Sequence, residues 1–168
     1  MAEILLFSRN RCTAVEQVDD RTFRATCRVQ DTLREAWVEI MVKAPDLEII
    51  RIKGEIRRSL EEREKDVTDD LQKLTGSRVG PGIKKIIRGL LGHSPRTEQL
   101  AVLVDECCNG VILSFTKDVL ARAPRDGAGE KEFFAGMVRA NPRLYNSCAA
   151  LSADSPLMEG LGLDKDKD

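Results

Sequence analysis

Apolar residues recur at every second position through Phe23, Ala25, Cys27 and Val29 and again through Ala36, Val38, Ile40 and Val42, whereas from Ser59 onward they recur at helical spacing. That change of period splits the chain into a β part followed by an α part. Period two gathers the apolar side chains of a strand on one face and leaves the other to water, here Arg24, Thr26, Arg28 and Gln30. Turn residues at Asp19-Asp20, Asp31-Thr32 and Ala44-Pro45-Asp46 separate this strand from expected neighbours over residues 11–18, 35–43 and 48–57. The expected fold is α+β, an antiparallel meander of about four strands covered by C-terminal helices.

The helices follow from their caps and stripes. Ser59 caps a helix whose first turn holds Glu61 and Glu62 and whose stripe is Leu60, Val67, Leu71 and Leu74; Gly76 ends it. A short basic helix is expected over residues 81–91. Ser94-Pro95 supplies a cap and a first-turn proline for a long buried helix over residues 94–123. Leu100, Val104, Cys108, Val111, Phe115 and Val119 line one side of it, with Val102, Leu103, Cys107 and Ile112 beside them; Asp105, Glu106, Asn109, Thr116 and Lys117 form the wet face. Residues 124–129 read as a flexible linker and 131–140 as a short amphipathic helix. Residues 164–168 alternate charge without an apolar anchor, a disordered tail after a single domain over residues 1–163.

Charge narrows the function classes. The 27 basic side chains nearly balance 28 acidic ones, a net charge of -1, so no global field draws nucleic acid or an anionic membrane. Aromatic content of 4% argues against a base-stacking platform. The four-residue apolar run at Ile4 is far too short for a signal peptide or a spanning helix, and five unpatterned cysteines suit free thiols in a reducing compartment, so a cytoplasmic location is expected.

Chemistry-bearing residues are few. Cys107 and Cys108 are adjacent on a helix, about 100° apart, and cannot both grip one metal. Asp105 and Glu106 beside them raise rather than lower a thiol pKa. Small core residues are the expectation there, and neither a metal nor a cofactor is expected. His93, the one histidine, sits in a link between helices and is the weak catalytic candidate. The electrostatic signal lies elsewhere: between Asp70 and Glu98 there is no acidic residue, and the stretch holds Lys73, Arg78, Lys84, Lys85, Arg88 and Arg96. Gly80-Pro81-Gly82 opens the basic helix, so backbone N–H groups and cations could meet a phosphate or carboxylate together. The candidate ligand-binding residues are Arg78, Gly80, Gly82, Lys84, Lys85 and Arg88.

Arg11, the run Asp20 to Phe23, Asp31 and the stretch Leu74-Thr75-Gly76-Ser77-Arg78-Val79-Gly80-Pro81-Gly82 together resemble a bacterial family known only as a domain of unknown function. The resemblance covers about two thirds of the chain. It implies a sheet followed by helices and brings no activity with it. Members of that family often carry a Cys-Thr-His run before the long helix, where this chain has His93-Ser94-Pro95-Arg96-Thr97, so a thiol ligand is missing at that place.

The expected function is therefore a non-catalytic binding or accessory module for a small anionic ligand or an acidic partner surface. An enzyme using His93 as acid or base, and a purely structural or oligomeric protein, are the alternatives; the oligomeric state stays open.

Overall fold

The computed structural model describes residues 4–59, 68–146 and 148–160. Four strands, β1 (Arg9–Asp19), β2 (Thr22–Asp31), β3 (Glu35–Lys43) and β4 (Glu48–Arg58), form one antiparallel sheet in the order β1-β2-β3-β4. The helices are α1 (Thr68–Gln72), α2 (Ile83–Leu91), α3 (Pro95–Arg122) and α4 (Gly127–Ala140). This is the α+β meander with helices that the alternation predicts. The expected helix start and stripe over residues 60–67, and the tail 164–168, lie outside the described residues.

The chain divides into two compact units, Met1–Phe115 and Thr116–Asp168, where composition alone suggests one domain. In the first, Ala25, Cys27, Ala36, Val38, Ile40 and Val42 are all fully buried. They meet Ile49, Ile52 and Ile56 of β4 and, from the helices, Leu71, Leu74, Ile83, Ile87, Leu91, Leu100, Val104 and Val111 in one cluster. The second has its own smaller cluster, in which Phe134, Val138, Leu151 and Met158 pack with Val119, Phe133 and Tyr145.

Two close approaches fix how the layers meet in the first unit. Gly54 on β4 faces α1: a Cβ there would stand 2.8 Å from the Trp37 carbonyl oxygen and 2.9 Å from Leu71 Cδ1. Gly110 on α3 likewise lies against Val15 and Thr13 of β1, where a Cβ would come within 3.2 Å of Thr13 Cγ2. These glycines let helix and sheet touch nearly backbone to side chain.

The hairpin between β2 and β3 is held by a buried aspartate. Asp31 Oδ1 accepts the N–H groups of Leu33 at 2.8 Å and Arg34 at 2.7 Å, and Oδ2 accepts from Arg9 at 3.0 Å. Burial works to raise the Asp31 pKa, but the two N–H bonds and the Arg9 guanidinium outweigh it and hold the carboxyl below its ordinary range.

Three expectations on the helices change. Of the stretch 124–129 expected as a linker, residues 124–126 are non-helical and 127–129 already belong to α4, which begins at Gly127 and holds Gly127 and Gly129 in its first turn despite their low propensity. The basic helix begins at Ile83 and not at Pro81, since Gly82 is its N-cap at φ 89°. Among the described residues the buried positions of α3 lie between Thr97 and Val111, and even there Val102 is exposed; Ile112 and Phe115 beyond them are exposed, and Asp105 and Glu106 are half-buried. Phe115 instead meets Phe23 edge-on, ring centroids 4.8 Å apart. The stretch Thr97–Arg122 is long and apolar enough to cross a bilayer by composition, with a mean hydropathy of 1.2. Leu100, Val104, Cys107, Cys108 and Val111 of that stretch are nonetheless core residues of the first unit.

Candidate functional site

The cap of α3 is as its sequence reads. Ser94 Oγ accepts the Thr97 N–H at 3.2 Å, Pro95 opens the helix, and the Thr97 hydroxyl donates to the Leu91 carbonyl. That clasp ties the end of α2 to the start of α3. Between them lies a cleft of about 450 Å³, lined by Lys84, Ile87, Arg88 and Gly92 from the α2 side and Glu98, Ala101, Val102 and Asp105 from α3.

Of the six expected ligand-binding residues, the fold brings Lys84 and Arg88 together. They are four apart on α2 and share the cleft face. Lys84 Nζ stands 3.3 Å from Asp105 Oδ2. The other carboxylate oxygen, Asp105 Oδ1, is buried without a hydrogen-bond partner among the described residues. Arg88 is exposed and forms no ion pair or side-chain hydrogen bond among the described residues.

The remaining four residues part company with that pair. Arg78 makes an isolated β-bridge with Glu48, and its guanidinium lies 3.7 Å from Asp46. Lys85 is exposed and is not part of the cleft lining. Gly80 and Gly82 have positive φ and nothing within 4 Å of where a Cβ would stand, so their conformation, not crowding, calls for glycine. At the α2 start, Ile83 donates to the Gly80 carbonyl and both Lys85 and Ile86 donate to that of Gly82. Those donors are engaged by the chain itself, which moves the weight of an anion site from the backbone to the Lys84 and Arg88 side chains.

Glu98 and Asp105 line the cleft but were not among the expected ligand-binding residues; the sequence places Asp105 on the wet face of the long helix. Their spacing with Ala101 and Val102 is one face of a helix, and that regularity was the available signal. It points outward from the core stripe, so only the position of α2 reveals that it faces another element.

His93 is exposed, follows the α2 C-cap Gly92, and is outside the cleft lining. The thiols divide cleanly: Cys12 and Cys148 are exposed, while Cys27, Cys107 and Cys108 are buried and free. Burial first, and then the Asp105 carboxylate, push the Cys108 thiol up to about 12. Burial is likewise the main cause that raises Cys107 and Cys27; the Thr13 hydroxyl, donating to Cys27 Sγ at 3.3 Å, offsets part of it. Cys107 lies 3.8 Å from the Val38 carbonyl oxygen, a sulfur packed onto the sheet. Among the described residues no group of three or more His, Cys, Asp or Glu side chains is placed to hold a metal ion.

Compared with protein-family models, curated proteins and solved structures, the chain matches none.

Proposed function

We propose that the first unit is a non-catalytic binding module, and that its ligand is a small molecule carrying one carboxylate or phosphate on an apolar body. One observation carries this reading: Arg88, a cation without a partner among the described residues, borders a cleft whose walls also include Ile87, Ala101 and Val102. A guanidinium is a planar fork that matches two oxygens of a carboxylate or phosphate, and the apolar wall accepts the rest of the ligand. Lys84 adds a second cation, partly neutralised by Asp105. The chemistry is that of holding a charge. Cys107 and Cys108 of α3 are buried, and neither they nor His93 is part of the cleft lining.

Thermal stabilisation tests the reading, because a ligand that binds the folded state alone raises the melting temperature, by more the further its free concentration exceeds its dissociation constant. Inorganic phosphate, pyrophosphate, and short-chain and aromatic carboxylates are the probes. The expected result is stabilisation of the wild type by at least one of them, strongly reduced in Lys84→Ala/Arg88→Ala and retained in Lys85→Ala. Failure of every probe to stabilise the wild type would sink the proposal, as would equal stabilisation of the double variant.

A further inference from the structure

We infer that the cleft between α2 and α3 takes a free α-amino acid with an apolar side chain, its carboxylate held from the α2 wall and its ammonium from the α3 wall; this rests on Arg88 being the seat of the anion. Two contacts fix how the walls face each other. Lys84 Nζ meets Asp105 Oδ2, and the Thr97 hydroxyl donates to the Leu91 carbonyl. As the chain advances from Lys84 to Leu91 on α2, its partners retreat from Asp105 to Thr97 on α3, so the two helices run antiparallel. Arg88, midway along that stretch of α2, falls level with Ala101 and Val102. Each wall carries one sign: Lys84 and Arg88 on α2, Glu98 and Asp105 on α3. Lys84 and Asp105 face one another at 3.3 Å. Arg88 and Glu98 have no such match. Both are exposed, both line the cleft, and neither forms an ion pair or a side-chain hydrogen bond among the described residues.

The cleft therefore holds one unpaired charge of each sign, and a ligand that carries both meets both. Glu98 lies about 5 Å along the α3 axis from the level of Arg88, a span that two long side chains and a compact zwitterion close together. A bare anion fares worse. It meets Arg88 but is opposed by Glu98, whereas a zwitterion adds no net charge to a lining of two cations and two carboxylates. The guanidinium fork matches the ligand's carboxylate, and the Glu98 carboxylate accepts from its ammonium. Asp105 Oδ1, buried without a donor among the described residues, is on the same wall, where an added positive charge is favoured. Ile87, Ala101 and Val102 receive the apolar side chain, and a volume of about 450 Å³ is within the range of small-molecule sites. A residue inside a peptide carries neither charge on its α-carbon substituents, so the two walls together select the free amino acid.

Calorimetric titration of the full chain at low salt, with L-leucine, N-acetyl-L-leucine and L-leucinamide and the same three forms of phenylalanine, tests this. Within each series the side chain is constant and only the charges differ. The wild type is expected to bind one of the free amino acids at least about fivefold more tightly than either of its blocked forms, the scale of one charge-assisted hydrogen bond in a wet site. Glu98→Gln is expected to bring the free amino acid and its N-acetyl form level, by weakening the first and strengthening the second. The strengthened anion shows that the cleft of the variant is intact. Arg88→Ala is expected to weaken both. N-acetyl forms that bind the wild type as tightly as the free amino acids, with Arg88 required, overturn the amino-acid inference and leave the anion reading standing. A preference for the free amino acid that survives Glu98→Gln also overturns it. Binding of neither series, or binding that is indifferent to Arg88→Ala, overturns both.

Discussion

Lys84 Nζ stands 3.3 Å from Asp105 Oδ2, joining α2 to α3 across the cleft in a pair whose lysine is 61% exposed. An ion pair that wet contributes little to stability. Asp105→Asn is therefore expected to shift unfolding free energy by less than about 1 kcal/mol, read by urea titration. Its effect on binding is larger. Removing the carboxylate frees Lys84 and leaves Glu98 as the one acidic side chain in the cleft lining, and affinity for whichever anionic probe stabilises the wild type should rise by about threefold to tenfold at low salt, fading as salt is added. Unchanged affinity in calorimetry would place the anion away from Asp105.

Gly54 is expected to tolerate no side chain. Its missing Cβ would meet the Trp37 carbonyl oxygen at 2.8 Å, and a backbone atom cannot swing aside as the end of a side chain can. Gly54→Ala should destabilise the protein by about 2–3 kcal/mol, the usual penalty for overpacking a well-filled site. Leu71→Ala removes one of the obstructing groups but leaves the carbonyl, so it should not rescue Gly54→Ala. Thermal melts of the two single variants and the double variant check both statements.

Asp31 contributes to the acid limb of the stability curve in the first unit, beside Asp19 and Glu55, whose carboxyls are also held below their ordinary range by hydrogen bonds. Its folded pKa is lowered, so its contribution is fully present above the unfolded value, about 3.9, and is lost as the pH falls through the lower folded value. Asp31→Asn keeps the shape but gives up the charge that two N–H groups and Arg9 address, with an expected loss of about 2 kcal/mol at neutral pH. The loss should shrink toward pH 3. Urea titrations of both proteins from pH 7 downward would show it, and a difference constant with pH would remove Asp31 as the cause.

Thiol titration should see two classes. Cys12 and Cys148 are exposed, and Cys27, Cys107 and Cys108 are buried with raised pKa values. A disulfide reagent at pH 8 should modify the first two rapidly in the native protein and the other three only at the rate of unfolding. Fast modification of a third thiol would contradict the packing of α3 on the sheet.

The sheet was legible in the sequence because its signal is local. Alternation through Phe23 to Val29 and Ala36 to Val42 names the buried face residue by residue, and β3 spans the expected residues 35–43. The cleft was half legible. Lys84 and Arg88 announce themselves within an acid-free stretch, but the partners that divide that stretch, Asp46 for Arg78 and Asp105 for Lys84, come from other elements, and only folding decides which cation each one meets. Gly54 illustrates the same limit. In the sequence it is a weak point in a strand, whereas its reason is the Trp37 carbonyl of the neighbouring strand and Leu71 on α1, neither of them near it in the chain. The exposed turns of α3 were hidden by composition, because Ile112 and Phe115 fit a core stripe as well as Val104 and Val111 do.

The strand order β1-β2-β3-β4 repeats the order of the chain, so each pairing closes only a short turn. The bonds that clasp the segment after α1 to β4, such as Ile49 N–H to the Ser77 carbonyl, close a far longer loop. Closure entropy grows with loop length, and local contacts form first in fast-folding topologies. The expected order of events is a meander that zips hairpin by hairpin and a helical layer that settles onto it. In stopped-flow experiments Ile40→Val should then slow refolding, whereas Leu100→Ala should chiefly hasten unfolding. The cleft between α2 and α3 would be among the last features to exist during folding and among the first to vanish during unfolding.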